Sequence, residues 1–97
     1  MNLDELQVTH NPAENRFETW IEGRLSKLDY IEDGNTIVMT HVGVDPQDRG
    51  QGIAGKITDV ALAYAREKSL RVIPMCSYVA AHIRANPEYA ELTRQRA

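Results

Sequence analysis

The chain has a single cysteine, Cys76, which leaves no partner for an intramolecular disulfide, and its three scattered histidines offer no Cys/His spacing of the kind that holds zinc. Cations are not in excess either: 11 Lys and Arg stand against 14 Asp and Glu, a net charge of −3 with His neutral. Nucleic acid is therefore not an expected partner, since such binding draws its affinity from clustered cations and the counterions they displace. No apolar run approaches the roughly 20 residues that span a bilayer. Met1-Asn2-Leu3-Asp4-Glu5 also lacks the cationic start of a signal peptide, so no membrane partner is expected and the expected location is cytoplasmic. The P-loop pattern G-x-x-x-x-G-K-[ST] has no match. What is present is an ordinary globular composition, 42% hydrophobic and 26% charged over 97 residues. That length suits one domain, folding as a monomer or small homo-oligomer.

Alternation with period two dominates the first half. Leu6, Val8 and His10 alternate with polar neighbours before the turn residues Asn11-Pro12-Ala13-Glu14-Asn15. Arg16 to Glu22 places Phe17, Thr19 and Ile21 on one face, with Gly23 as a break or bulge, and Arg24 to Ile31 alternates again up to Glu32-Asp33-Gly34-Asn35. Thr36 to Val44 is the most β-branched segment. Regular alternation puts Ile37, Met39, His41 and Gly43 on one face and Val38, Thr40, Val42 and Val44 on the other, which predicts a central strand covered on both sides.

From Gly52 the period lengthens, with Ile53, Ile57, Val60, Ala61, Tyr64 and Ala65 at helical spacing and an end near Lys68-Ser69. Leu70 to Met75 is too short and apolar for a helix and predicts a parallel partner for the preceding strand, reached through that helix. Val79, Ala80, Ile83 and Arg84 predict a short second helix closed by Asn86-Pro87, one further turn to Leu92, and fraying from Thr93 to Ala97.

The segment Val42 to Gly55 joins the β-branched strand to the first helix through a polar turn and three glycines. Such a junction exposes unpaired backbone N–H groups at the positive end of a helix dipole, a natural phosphate cradle. The letters Gly50-Gln51-Gly52-Ile53-Ala54-Gly55 also fit the dinucleotide fingerprint, but the antiparallel strands before them do not suit a parallel βαβ unit.

Spelled as Arg49-x-x-Gly52-x-Ala54, the same loop resembles the acetyl-coenzyme A loop of the GNAT N-acetyltransferase superfamily. Four further blocks widen the likeness: His41-Val42-Gly43-Val44, the helix through Tyr64-Ala65, Cys76-Ser77-Tyr78-Val79 and Asn86-Pro87-Glu88-Tyr89. Together they make the chain similar to the minimal single-domain GNAT-like proteins termed YjdJ-type. The resemblance implies an α+β, three-layer GNAT-like domain over residues 1–97, with a mixed, mainly antiparallel sheet and helices on both faces.

It further implies acetyl-CoA as co-substrate, no metal, and acetyl transfer to an unidentified amine. Backbone N–H groups of Arg49, Gly50, Gln51, Gly52, Ile53 and Ala54 would hold the pyrophosphate. The pantetheine arm would run beside Val42 and Val44 where the fourth and fifth strands splay, flanked by Asn86 and Tyr89.

Two residues carry the chemistry in this reading, and each has a plainer alternative. His41 is a proton acceptor at the strand end or a satisfied core histidine. Cys76 takes the acetyl group as a transient carrier or is a small buried hydrophobe. Tyr78 and Tyr89 either donate a proton to the leaving thiolate or cap the core. Gly43 departs from the family, whose members often have Thr-Glu where this chain has Val42-Gly43, so a carboxylate is missing. The competing class is a non-catalytic module that binds CoA or acyl-CoA.

Overall fold

The computed structural model describes residues 2–94. Five strands are present: β1 (Thr9–Asn11), β2 (Arg16–Ile21), β3 (Arg24–Asp33), β4 (Thr36–Gly43) and β5 (Arg71–Pro74). They form one sheet in sequence order. The first four pair antiparallel, and β5 pairs parallel to β4 across helix α1 (Ile53–Glu67). Helix α2 (Ser77–Ala85) and a 3-10 segment, Pro87–Thr93, complete the chain's path.

Short connections produce the antiparallel run. Residues Ile21 and Arg24 pair across Glu22-Gly23, and Asp33 pairs with Thr36 across Gly34-Asn35. Gly23, expected as a break or bulge, is thus the second residue of a hairpin turn. The crossover through α1 is what allows β5 to lie parallel.

The α+β class and the mixed, mainly antiparallel sheet agree with the expectation, whereas the layering differs. Phe17, Thr19, Ser26, Leu28, Tyr30, Ile37, Met39 and Val72 are all buried on one face of the sheet. Against them pack Ile53, Ile57, Ala61, Leu62 and Ala65 of α1, Val79 and Ile83 of α2, and Leu92 of the 3-10 segment, as one cluster. On the other face Trp20 is 56% and Ile31 58% exposed. The helices, expected on both faces, gather on one. Two-residue turns between β2, β3 and β4 leave no chain to cross the second face, and both helices follow β4.

A second correction concerns β4. The register of β3 and β4 shifts between Asp29 and Tyr30: Asp29 pairs with His41 but Tyr30 with Met39, so Thr40 is the extra residue of a β-bulge. Ile37 and Met39 are buried, and beyond the bulge Val42, opposite buried Leu28, takes over the core side. His41 is exposed on the open face, in place of following Met39 inward. β4 is central as expected but covered on one side only.

At the C-terminal end, Thr93 is tied down: its hydroxyl donates to the Ala90 carbonyl at 2.8 Å and its own carbonyl accepts from Arg71 Nε at 3.2 Å. Of the fraying expected from Thr93 to Ala97, positions 95–97 lie outside the described residues. No helix among the described residues is long and apolar enough to cross a membrane.

Candidate active site

The chain leaves β4 at Gly43 and enters a turn built on polar side chains. Asp45 donates its N–H to Ser26 Oγ at 3.1 Å, and its carboxylate accepts from the Gln47 N–H at 3.0 Å, capping the 3-10 turn Pro46–Asp48. Asp48 is only 2% exposed, yet its charge is matched. Arg24, at the start of β3, forks onto it with Nη2 to Oδ1 at 2.7 Å and Nε to Oδ2 at 3.0 Å. Hydrogen bonding to Arg24 holds the Asp48 carboxyl below its usual range, and the same bonds push the Arg24 guanidinium further up. The turn is thereby bolted to β3.

Beyond it come Gly50 and Gly52, at φ of +81° and +85°. The left-handed backbone at Gly52 turns the chain directly into α1, with Gly52 as N-cap and no side chain capping the first turn. Lys56 is the residue whose N–H returns to the Gly52 carbonyl, at 3.1 Å. The amides of Ile53, Ala54 and Gly55 precede it and have no intrahelical acceptor. Arg49 is exposed beside them, its Nε donating to the Val44 carbonyl at 3.2 Å.

These pieces enclose a cleft of about 300 Å³ lined by Val44, Asp48, Arg49, Gly50, Gly52, Ile53, Ala54, Gly55 and Tyr78. An uncapped helix start, its dipole and a guanidinium make the cleft suited to a phosphate-bearing ligand. Tyr78 reaches it from the first turn of α2; its hydroxyl is 3.5 Å from where a Cβ on Gly55 would lie. Burial, then the charge of Asp59, push the Tyr78 phenol up, so it stays a hydrogen-bond donor at neutral pH.

Behind Tyr78 runs a stacked ladder along the seam between α1 and α2. The His82 ring lies between Tyr78 and Tyr89, with centroids 5.9 and 6.0 Å away, and the Arg66 guanidinium caps Tyr89 at 5.8 Å. Asp59 Oδ1 accepts from both His82 Nε2 and the Tyr89 hydroxyl, each at 2.8 Å. Burial and that bond push the Tyr89 phenol up to about 12.

Of the residues singled out in sequence, Val44, Arg49, Gly50, Gly52, Ile53 and Ala54 come together around the cleft. Gln51 is exposed and does not line it, and Val42 packs against the core. Asn86 and Tyr89 lie on the helix seam, where Asn86 Nδ2 donates to the His82 carbonyl at 2.8 Å. Arg24, Ser26 and Asp48 were missed. Asp45-Pro46-Gln47-Asp48 signals a capped turn in sequence, but nothing local links it to a residue 24 positions earlier.

Cys76 and His41 do not line the cleft. Strand pairing between β4 and β5 stops at Met39 opposite Pro74, after which the Cys76 N–H donates to the Met39 carbonyl at 3.0 Å and α2 begins. From Thr40 to Gly43 the β5 side of β4 has no strand partner among the described residues. The Cys76 side chain is half-buried and touches the core cluster; His41 stands on the open face of the sheet.

Residues 16–92 match the family model described as GCN5-related N-acetyl-transferase. The fold is similar to the NMR solution structure of a GCN5-like protein from Staphylococcus aureus, with a TM-score of 0.73 and 25% identity over 95% of this chain and 91% of that one. With a family match that takes in both the loop and the strands that frame it, the chain belongs to the GCN5-related N-acetyltransferase family.

Proposed function

We propose that the cleft binds acetyl-CoA and that the protein transfers the acetyl group to an amine. The observation that carries this reading is the uncapped, glycine-lined start of α1 beside Arg49, opening next to the stretch of β4 whose β5 side is unpaired among the described residues. The amides of Arg49, Gly50, Gly52, Ile53 and Ala54, with the Arg49 guanidinium, hold the pyrophosphate. The free edge of β4 at Val42, with Val44 just past the strand's end, offers backbone groups to the pantetheine amides, in the manner of an added strand. Asn86 and Tyr89 flank the arm from the helix seam.

Acetyl-CoA supplies an acyl carbon already activated as a thioester. The protein's part is to position it and to move protons. His41, exposed beyond the bulge, accepts the proton of the attacking amine. Tyr78, kept protonated, lies in the cleft as a donor for the departing thiolate. Cys76 stands where β4 and β5 part, the place from which a thiol can carry the acetyl group for one step.

Incubation with acetyl-CoA and a panel of small and peptidyl amines, following release of free thiol, tests the activity. Turnover with at least one amine is expected; saturable binding with no thiol release for any acceptor would make the protein a CoA-binding module. Intact mass before acceptor is added tests the carrier role of Cys76, which fails if no adduct forms and Cys76→Ala turns over at the wild-type rate.

A further inference from the structure

Gly43 is a glycine that its backbone does not require. Its φ lies outside the left-handed region, so any residue fits the conformation, and glycine in a strand otherwise weakens it. The space its side chain would take is filled instead. A Cβ at position 43 would meet His41 Nε2 at 3.1 Å and His41 Cδ2 at 3.7 Å; its two chain neighbours aside, no other heavy atom among the described residues would lie within 4 Å. The imidazole of His41 therefore folds along β4 and rests on the bare backbone of Gly43.

Two features put the ring there. Without the bulge at Thr40, alternation from buried Ile37 and Met39 would carry His41 into the core; the bulge turns it onto the open face. Residues 41 and 43 then share that face; a Cβ at 43 would push the ring by a few tenths of an ångström, and a branched or longer side chain would displace it further.

Resting on the reading of His41 as the proton acceptor, we propose that Gly43 is a positioning residue for it. The empty side-chain position is a berth that fixes the imidazole beside the point where β4 loses its β5 partner. The chemical class this serves is an amine acceptor arriving over the open sheet face, from the side opposite the helices. The charged groups sharing that face are Lys27 and Asp29, register partners of Gly43 and His41 and joined to each other at 3.0 Å, with Glu18 and Arg16 opposite them on β2. The glycine also accounts for the missing carboxylate: a longer side chain at 43 would occupy the berth.

The test uses the full chain and the variants Gly43→Ala, Gly43→Val and His41→Ala, with far-UV circular dichroism to confirm folding. In the wild type, a nuclear Overhauser contact between the His41 ring protons and the Gly43 α-protons is expected, and it weakens in Gly43→Ala and vanishes for the corresponding α-proton in Gly43→Val. With an amine found in the panel assay, Gly43→Val should lower kcat by roughly 10- to 100-fold, the scale of a misplaced catalytic group. KM for acetyl-CoA should not change, and Gly43→Val should have no further effect in a His41→Ala background. Absence of the ring contact in the wild type would overturn the proposal. So would a rise in KM for acetyl-CoA with kcat unchanged, which would assign the glycine to cofactor approach, or an equal loss in the His41→Ala background. If His41→Ala alone leaves kcat unchanged, the proton-acceptor role fails, and the ring contact still decides whether the berth exists.

Discussion

Arg24 grips Asp48 with two parallel hydrogen bonds, of 2.7 and 3.0 Å, and in doing so ties the start of β3 to the turn that presents the glycine loop. Glu22 and Asp45 lie on the same guanidinium at 3.4 and 3.9 Å, so one cation organises three carboxylates around the entry to the cleft. Neither Arg24 nor Asp48 was expected at the site, yet together they brace the turn that leads into the glycine loop.

Replacing the fork by a point charge separates geometry from charge. Arg24→Lys keeps the cation but loses the planar pair of donors, and Asp48→Asn keeps the shape but loses the charge. Each is expected to weaken CoA binding about tenfold or more by isothermal titration calorimetry, with the far-UV spectrum retained. Wild-type affinity in both variants would show that the loop holds itself without β3.

Gly52 carries a different constraint. Its φ of +85° is left-handed, and a Cβ there would come within 2.9 Å of Leu3 Cδ1. Gly52→Ala is expected to cost about 1–2 kcal/mol from backbone strain, read from urea denaturation, and to weaken CoA binding as well. Gly50→Ala, also at positive φ but with open space around the Cβ position, should cost the strain alone. Equal stability of Gly52→Ala and wild type would contradict the assignment.

The ring of His10 is stacked on Phe17 at 4.3 Å, and its Nε2 is 2.6 Å from the Tyr30 hydroxyl. Burial lowers its pKa from the ordinary 6.5, opposed by the charge of Glu32. The unfolded chain therefore takes up this proton more readily than the folded one. The contribution is complete above about pH 6.5 and is lost as pH falls through the lowered folded value. Thermal melts at pH 7.5 and 5.5 should show a larger loss on acidification for wild type than for His10→Phe; equal losses would show that His10 takes no part.

Much of the fold was legible because its signals are local. Phe17, Thr19 and Ile21 alternate, Ile53 to Ala65 repeat at helical spacing, and the glycines between Arg49 and Gly55 mark the loop. The parallel placement of β5 followed from the helical connection before it. The bulge at Thr40 was not legible, because register is a property of two strands and β4 alone reads as regular. Hence the sides assigned to His41 and Val42 relative to Met39 came out wrong. The open face was hidden for a related reason: Val38 and Thr40 look fit for burial, but whether anything covers them depends on where the helices are connected. Arg24 escaped because its partner lies in another element.

The central claim is that the start of α1 is a coenzyme A site, and the most direct measurement is a ¹H–¹⁵N NMR titration of the whole protein with CoA. Saturable shifts are expected, largest at the amides of residues 49–55 and extending to Val42 on the free edge of β4 and to Val44 just past its end. Unchanged amides at the loop, or saturable shifts confined to other parts of the molecule, would contradict it.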